Sequence, residues 1–368
     1  LESVPGPSPS DGLPRYRTGE DTLDQAVLAL LAAAGIEEHR RFYFEMVASV
    51  LRMGREGVDR GDVKIVSTTL KELRHAFGVF APYRGSPKAA IFGSARTTPD
   101  DPAYSAAVEL GAALAREGWM VITGGGPGIM TAGVEGAGAA ASFGVSITLP
   151  FEPASSRPLI AEDRAVNFRY FFNRKLTFMK ESAGFVLFPG GFGTLDEAFE
   201  LLTLLQTGRA SPAPVVLFEP PGDAYWRSFR HFLEVELLDP ALVSPEDLEL
   251  FSITHDVTST VSALTAFYRT YHSMRHVGGY LVIRLQHEIS DAALAALDEQ
   301  FRDIVASGRI ERSPAMRAEL DDDDVSELPR LRFRFVNAHY ARLHAFVRAL
   351  NALDAQLPGR ETPERVRS

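Results

Sequence analysis

Apolar residues recur at helical spacing over residues 23–34, 37–53 and 63–77, which predicts three helices ahead of any strand. From residue 87 the pattern changes to short apolar runs separated by amphipathic stretches. The runs at 88–92, 119–122, 144–148, 184–188 and 214–218 read as buried strands, and the stretches at 103–117, 129–141, 173–183 and 194–206 as the helices between them. This alternation predicts an α/β fold with a doubly wound parallel sheet, Rossmann-like in layout. A helix over 226–237, a segment over 251–254 and a helix over 257–271 close that layer. Beyond it the order differs: 280–286 and 331–336 alternate as strands, while 291–306 and 338–353 are amphipathic, so a small C-terminal α+β appendage is expected. The expected organisation is a disordered Pro/Ser/Gly-rich leader over 1–18, an N-terminal helical extension over 19–85, the α/β domain over 86–271 and the appendage over 272–368.

Two of the predicted strands run straight into glycine clusters. Phe188-Pro189-Gly190-Gly191-Phe192-Gly193-Thr194-Leu195-Asp196-Glu197 sets three glycines between one strand and the next helix. Glycine permits positive φ and close backbone approach, so successive N–H groups can converge there on an anion at the positive end of the helix. Thr194-x-x-Glu197 also satisfies a helix capping box, a purely structural use of Glu197. The second cluster, Thr123-Gly124-Gly125-Gly126-Pro127-Gly128, follows the run at 119–122. Both loops leave the carboxyl ends of strands, where open α/β sheets bind ligands, so a shared cleft is expected. Ile129 stands where the Gly-x-Gly-x-x-Gly dinucleotide fingerprint requires glycine, and neither loop ends in Gly-Lys-Ser/Thr. Both facts argue against NAD and against a phosphate-loop NTPase.

Between the loops, Arg174 and Lys175 follow Tyr170, Phe171 and Phe172 at the start of a predicted helix, which suits a semi-buried anion site. The net charge of −10 argues against a surface that coats nucleic acid, but leaves local binding of a small anion untouched. With 368 residues, 45% of them hydrophobic, the chain is long enough for one sizeable core and smaller attachments. There is no cysteine, hence no disulfide framework or thiolate zinc site. No apolar run reaches membrane-spanning length and no secretory signal is visible, so a cytoplasmic location is expected. His272 and His276, read at helical spacing, lack the Glu of a zinc hydrolase, and Asp321 to Asp324 read as a solvated loop. No metal site is expected.

In order and spacing, Gly124-Gly125-Gly126, Arg174-Lys175-x-x-x-Met179 and Pro189-Gly190-Gly191-x-Gly193-Thr194-x-x-Glu197 resemble the motifs of the LOG family of nucleotide phosphoribohydrolases. Phe92-Gly93-Ser94-Ala95-Arg96 and Leu204-Leu205-Gln206-Thr207-Gly208 resemble its first strand and loop and one of its helix endings. The resemblance covers about residues 86–270 and makes 86–271 the nucleotide-binding catalytic domain. It implies hydrolysis of the N-glycosidic bond of a nucleoside 5′-monophosphate, purine, pyrimidine or cytokinin in type, to free base and ribose 5-phosphate, without a cofactor. By matched position, Arg174 and Glu197 are the catalytic pair, with Arg174 expected to keep Glu197 ionised or to bind phosphate or ribose oxygens. Gly190, Gly191, Gly193 and Thr194 hold the 5′-phosphate, Gly125 and Gly126 line the same pocket, and Ser94 adds a donor. Lys175, Glu152 and Thr203 match substrate contacts, although Leu149-Pro150-Phe151-Glu152 departs from the family wording and an ordinary loop carboxylate competes there. Association through helices beside the site implies a homodimer or an oligomer built from dimers.

Two other functions share these features. Proteins of the same fold bind nucleotide without turning it over, and retention of both Arg174 and Glu197 favours the enzyme. Relatives have also been labelled lysine decarboxylases, an activity that needs pyridoxal phosphate on a lysine. Lys175 and Lys180 are available, but no partner for a pyridinium nitrogen is apparent.

Overall fold

Helices α1 (Asp21–Ala33) and α2 (Arg40–Arg55) form where helical periodicity places them, and they bury Val27, Leu31, Phe44 and Ala48 against one another. Ahead of α1, the Thr18 amide and hydroxyl both donate to the buried carboxylate of Asp24, at 3.0 and 2.7 Å. The computed structural model describes residues 14–148, 160–321 and 325–354. Within it the chain divides into two compact units, Leu1–Glu72 and Leu73–Ser368. Helix α3 (Arg60–Phe80) runs across that boundary, and Ala76 and Phe80 near its end belong to the core of the second unit.

The second unit is built on seven parallel strands: β1 (Lys88–Phe92), β2 (Met120–Thr123), β3 (Ser142–Ile147), β4 (Ala165–Phe168), β5 (Gly184–Leu187), β6 (Val215–Phe218) and β7 (Ser252–Thr254). Their order is β4-β3-β2-β1-β5-β6-β7. Helices α4 (Pro102–Arg116), α5 (Ile129–Ala137) and α9 (Val257–Ala266) cover one face. The other is covered by α6 (Phe171–Glu181), α7 (Phe192–Gln206), α8 (Tyr225–Leu233) and the end of α3. Burial on both faces explains why the strands read as continuous apolar runs: Ala89 and Ile91 of β1 enter one core, Ala90 and Phe92 the other. The strand order reverses between β1 and β5, so the loops leaving these two strands flank the switch-point crevice.

Strands β8 (Tyr271–Val277) and β9 (Tyr280–Leu285), helix α10 (Asp291–Gln300), strand β10 (Val305–Arg312), helix α11 (Arg317–Asp321), strand β11 (Arg330–Phe335) and helix α12 (Tyr340–Asp354) follow. The four strands form an antiparallel sheet in the order β10-β11-β9-β8. Helix α12 joins this sheet to the first: Ala341 enters the core beside α7, His344 Nε2 donates to Ala213 O at 3.0 Å, and the Tyr340 ring lies against Gly208.

The α/β fold and its parallel sheet are as expected, but several elements differ. Residues 267–271 leave the helix predicted over 257–271, because the Asn351 carbonyl oxygen accepts from the amides of Thr270 and Tyr271 at 2.8 and 3.0 Å. The chain then starts β8, so His272 and His276 lie on a strand. Helix α5 stops at Ala137 because Gly138 takes φ +79°. Strands β4 and β10 were not expected. β4 has only four residues, and β10 is a mostly exposed edge strand with a glycine at φ +78°.

Helices α4 and α5 approach so closely that a Cβ on Gly136 would meet Val108 O at 1.8 Å. Gly136→Ala is expected to destabilise the protein by about 1–3 kcal/mol, through forced separation of this pair, read as a lower urea midpoint.

Candidate active site

The loops after β1, β2 and β5 meet at the switch point, and missing side chains make the meeting possible. The Ser94 amide donates to Pro189 O at 3.1 Å, and the Ile129 amide donates to Ser94 O at the same distance. A Cβ on Gly128 would stand 2.3 Å from Ser94 O, and one on Gly190 would stand 2.1 Å from Thr194 Oγ1. Gly190 therefore serves close approach, and no glycine of the loop after β5 is there for positive φ. Gly191 has φ −87°, and neither Gly190 nor Gly193 has positive φ, whereas Gly125 and Gly128 both sit at +67°. A Cβ at Gly191 or Gly193 would touch nothing, so these two leave open space over the start of α7. The first amides of a helix lack intrahelical acceptors, and the helix dipole adds positive potential there.

The capping box is not formed. Helix α7 starts at Phe192, two residues earlier than expected, with Gly191 at the N-cap and no side-chain cap. The buried Thr194 hydroxyl packs against Gly190, and Glu197 turns inward with 5% of its surface exposed. Among the described residues, Glu197 Oε2 has no hydrogen-bond partner.

Helix α6 brings Arg174 over the other glycine loop. Arg174 Nε donates to Val145 O of β3 at 3.0 Å, and its guanidinium lies 5.4 Å from the Phe178 ring centre. A Cβ on Gly124 would lie 2.4 Å from Arg174 Nη2, so the bare loop is the seat of the guanidinium. Burial lowers the Arg174 pKa, and the negative charge of Glu197 opposes that shift. For Glu197, burial is the largest influence and raises its pKa to about 7, against opposition from Arg174 and Lys175. Arg174 thus favours the ionised carboxylate, as expected, but offsets only part of the desolvation.

The other expected site residues divide. Ser94, Gly125 and Gly126 line the loops described, with the Ser94 hydroxyl accepting from the Arg96 amide and the Gly126 carbonyl accepting from Thr131. Lys175 is held by Asp196 Oδ1 at 2.7 Å and Glu200 Oε2 at 2.5 Å. Burial lowers its pKa, but these two carboxylates outweigh burial and raise it. Sequence reasoning missed Asp196 and Glu200. Their i, i+4 spacing, one of them beside Glu197, was the available signal. Thr203 is exposed, six residues beyond Glu197 and so on another side of α7, with its hydroxyl donating to Phe199 O at 2.7 Å. Glu152 lies outside the described residues, as do Asp322 to Asp324. Among the described residues no cluster of three or more acidic or histidine side chains is placed to hold a metal.

Over residues 127–264 the chain matches a family model described as "Possible lysine decarboxylase". It is 30% identical over 159 residues to the cytokinin riboside 5′-monophosphate phosphoribohydrolase of Mycobacterium tuberculosis, spanning 43% of this chain and 82% of that protein. The chain belongs to the LOG family. A probable cytokinin riboside 5′-monophosphate phosphoribohydrolase of Oryza sativa subsp. japonica is 33% identical over 148 residues, or 38% of this chain and 56% of the relative. Among solved structures, the molybdenum cofactor binding protein of Rippkaea orientalis is 22% identical, with 48% of this chain and 94% of that one covered at a TM-score of 0.34. The DNA processing protein A of Helicobacter pylori is 14% identical over 48% of this chain and 79% of that one, at 0.33. These two carry no functional argument.

The raised pKa of Glu197 has a stability consequence with a definite sign. Below the ordinary value of 4.5 the side chain is neutral in both folded and unfolded chains, and the cost of burying it charged is absent. Between 4.5 and about 7 the unfolded chain releases the proton first, so wild-type stability falls as pH rises, by at most on the order of 3 kcal/mol. Glu197→Gln should therefore gain stability relative to wild type over that window and hold the gain above it. Chemical denaturation of both proteins at pH 4.5, 6 and 8 checks this.

Proposed function

We propose that this chain hydrolyses the N-glycosidic bond of nucleoside 5′-monophosphates, releasing the free base and ribose 5-phosphate. The observation that carries the reading is the buried Glu197 carboxylate, within electrostatic reach of the Arg174 charge and on a helix with an open, glycine-lined start. Cleavage develops positive charge at C1′ and the ring oxygen. An ionised Glu197 stabilises that charge and accepts a proton from the water that attacks C1′, and the base leaves with the bonding electrons. A general base of this kind contributes about 10²–10⁴-fold. Its pKa of about 7 leaves it partly ionised at neutral pH and a stronger base than an exposed carboxylate. Arg174 balances the carboxylate and faces the substrate's anionic end, while Gly190, Gly191, Gly193 and Thr194 receive the phosphate. The LOG-family relatives named above support this chemistry; the range of bases is open to the assay.

Neither lysine singled out from the sequence suits a pyridoxal enzyme. A Schiff-base lysine needs a lowered pKa, whereas Lys175 is tied to two carboxylates and shifted upward. Lys180 is half exposed and paired with Glu181.

The same reading includes a homodimer. Phe171, Phe172 and Leu176 of α6, and Phe192 and Phe199 of α7, are exposed beside the site, with Phe192 92% exposed. Such apolar exposure suits a partner surface. Phe199→Asp is expected to shift the protein to monomer in sedimentation velocity, while circular dichroism stays as in wild type.

The deciding experiment incubates the protein with AMP, GMP, CMP, UMP and isopentenyl-AMP and separates the products by chromatography. Free base with ribose 5-phosphate is expected, with kcat/KM rising as pH increases through about 7, because the ionised form of Glu197 is the active one. Glu197→Gln should fold and lose about 10²-fold or more in turnover. Stoichiometric binding without cleavage would instead place the chain among nucleotide sensors.

A further inference from the structure

Tyr225, the first residue of α8, reaches the glycine loop from outside the motifs: its hydroxyl donates to Gly190 O at 2.6 Å. That carbonyl shares a peptide plane with the N–H of Gly191. In a trans peptide the two point in opposite directions, so a donor that fixes the oxygen also fixes the amide. Gly191 is the exposed N-cap of α7, and its amide has no protein acceptor among the described residues. Holding Gly190 O toward α8 turns this free donor away from α8, at a turn where a Cβ on Gly191 or Gly193 would meet nothing.

Tyr225 is itself anchored. Glu219, fully buried just past β6, accepts from the amides of Trp226 and Arg227 at 2.8 and 3.0 Å and from Arg227 Nε at 2.6 Å. A buried carboxylate thus fixes the first turn of α8. The Tyr225 ring packs edge-on against buried Trp226, 4.8 Å between centres. On the opposite side Gly190 is pressed against Thr194, and the preceding Pro189 carbonyl accepts from Ser94. The loop is therefore gripped from three directions, one of them a single removable hydroxyl.

The geometry points to Tyr225 as a positioning residue for phosphate recognition, orienting the Gly190–Gly191 peptide so that the Gly191 amide faces the 5′-phosphate. This rests on the function proposed above. Without the hydroxyl the peptide is free to rotate, and a donor to the phosphate is lost part of the time. Substrate and transition state carry the same phosphate, so the loss falls on binding common to both and appears in KM more than in kcat.

The test compares wild type with Tyr225→Phe, which keeps the ring and its packing. Ribose 5-phosphate binding is measured by calorimetry on the full chain, beside kcat and KM for the best monophosphate and thermal unfolding. Expected are a ribose 5-phosphate Kd and a substrate KM each raised about five- to tenfold, with kcat within about twofold. Equal ribose 5-phosphate affinity in the two proteins, or a fall in kcat at constant KM, overturns the assignment even if wild type turns nucleotide over. Absence of turnover by wild type sinks the proposed hydrolysis alone, since the affinity ratio still reports on Tyr225. Absence of ribose 5-phosphate binding to wild type sinks the phosphate pocket and the role of Tyr225 with it.

Discussion

Everything at the switch point depends on bare backbone that neighbours can approach where a side chain would forbid it. Gly93 leaves room for Ile129, Gly128 for the Ser94 carbonyl, Gly190 for the Thr194 side chain and Gly124 for the guanidinium of Arg174. With those spaces the loops after β1, β2 and β5 draw together, and Glu197 is carried inward on the first turns of α7. Add a methyl group to any of them and the contact partner must move, in most of these cases backbone or a short branched side chain. The glycines are thus the structural cause of the burial that sets the carboxylate's pKa.

Two opposed forces meet at that carboxylate. Desolvation favours the neutral acid and Arg174 favours the anion, and desolvation prevails by a margin that leaves titration near neutrality. Neither extreme would suit proton transfer: a fully compensated carboxylate is a weak base, and an uncompensated one stays protonated. Lys175 adds to the pull of Arg174, while its own partners Asp196 and Glu200 push the Glu197 pKa the other way.

Much of this was readable from the sequence, because burial on both faces turns parallel strands into unbroken apolar runs and because glycine clusters mark their ends. The loop after β5 came through the same signals, whereas the pairing of Arg174 with Glu197 came from the resemblance to the LOG family. What escaped depends on distant neighbours. Asn351 turns the chain at Thr270 from some eighty positions away, and no local periodicity encodes that. The ion pairs of Lys175 and the net direction of the Glu197 shift both need three-dimensional distances. The capping box at Thr194 had the right letters, but the open Gly191 turn let the helix begin at Phe192.

Helix α12 seals the flank of the parallel sheet: His344 reaches back 131 positions to the Ala213 carbonyl, and Ala341 fills the core beside α7. On a ribosome, the α/β layer therefore waits for this wall. At ordinary elongation rates that interval is on the order of ten seconds, during which the start of β6 lacks its cover. The appendage supplies part of the cover of the α/β layer, so the two are not independent beads on a string.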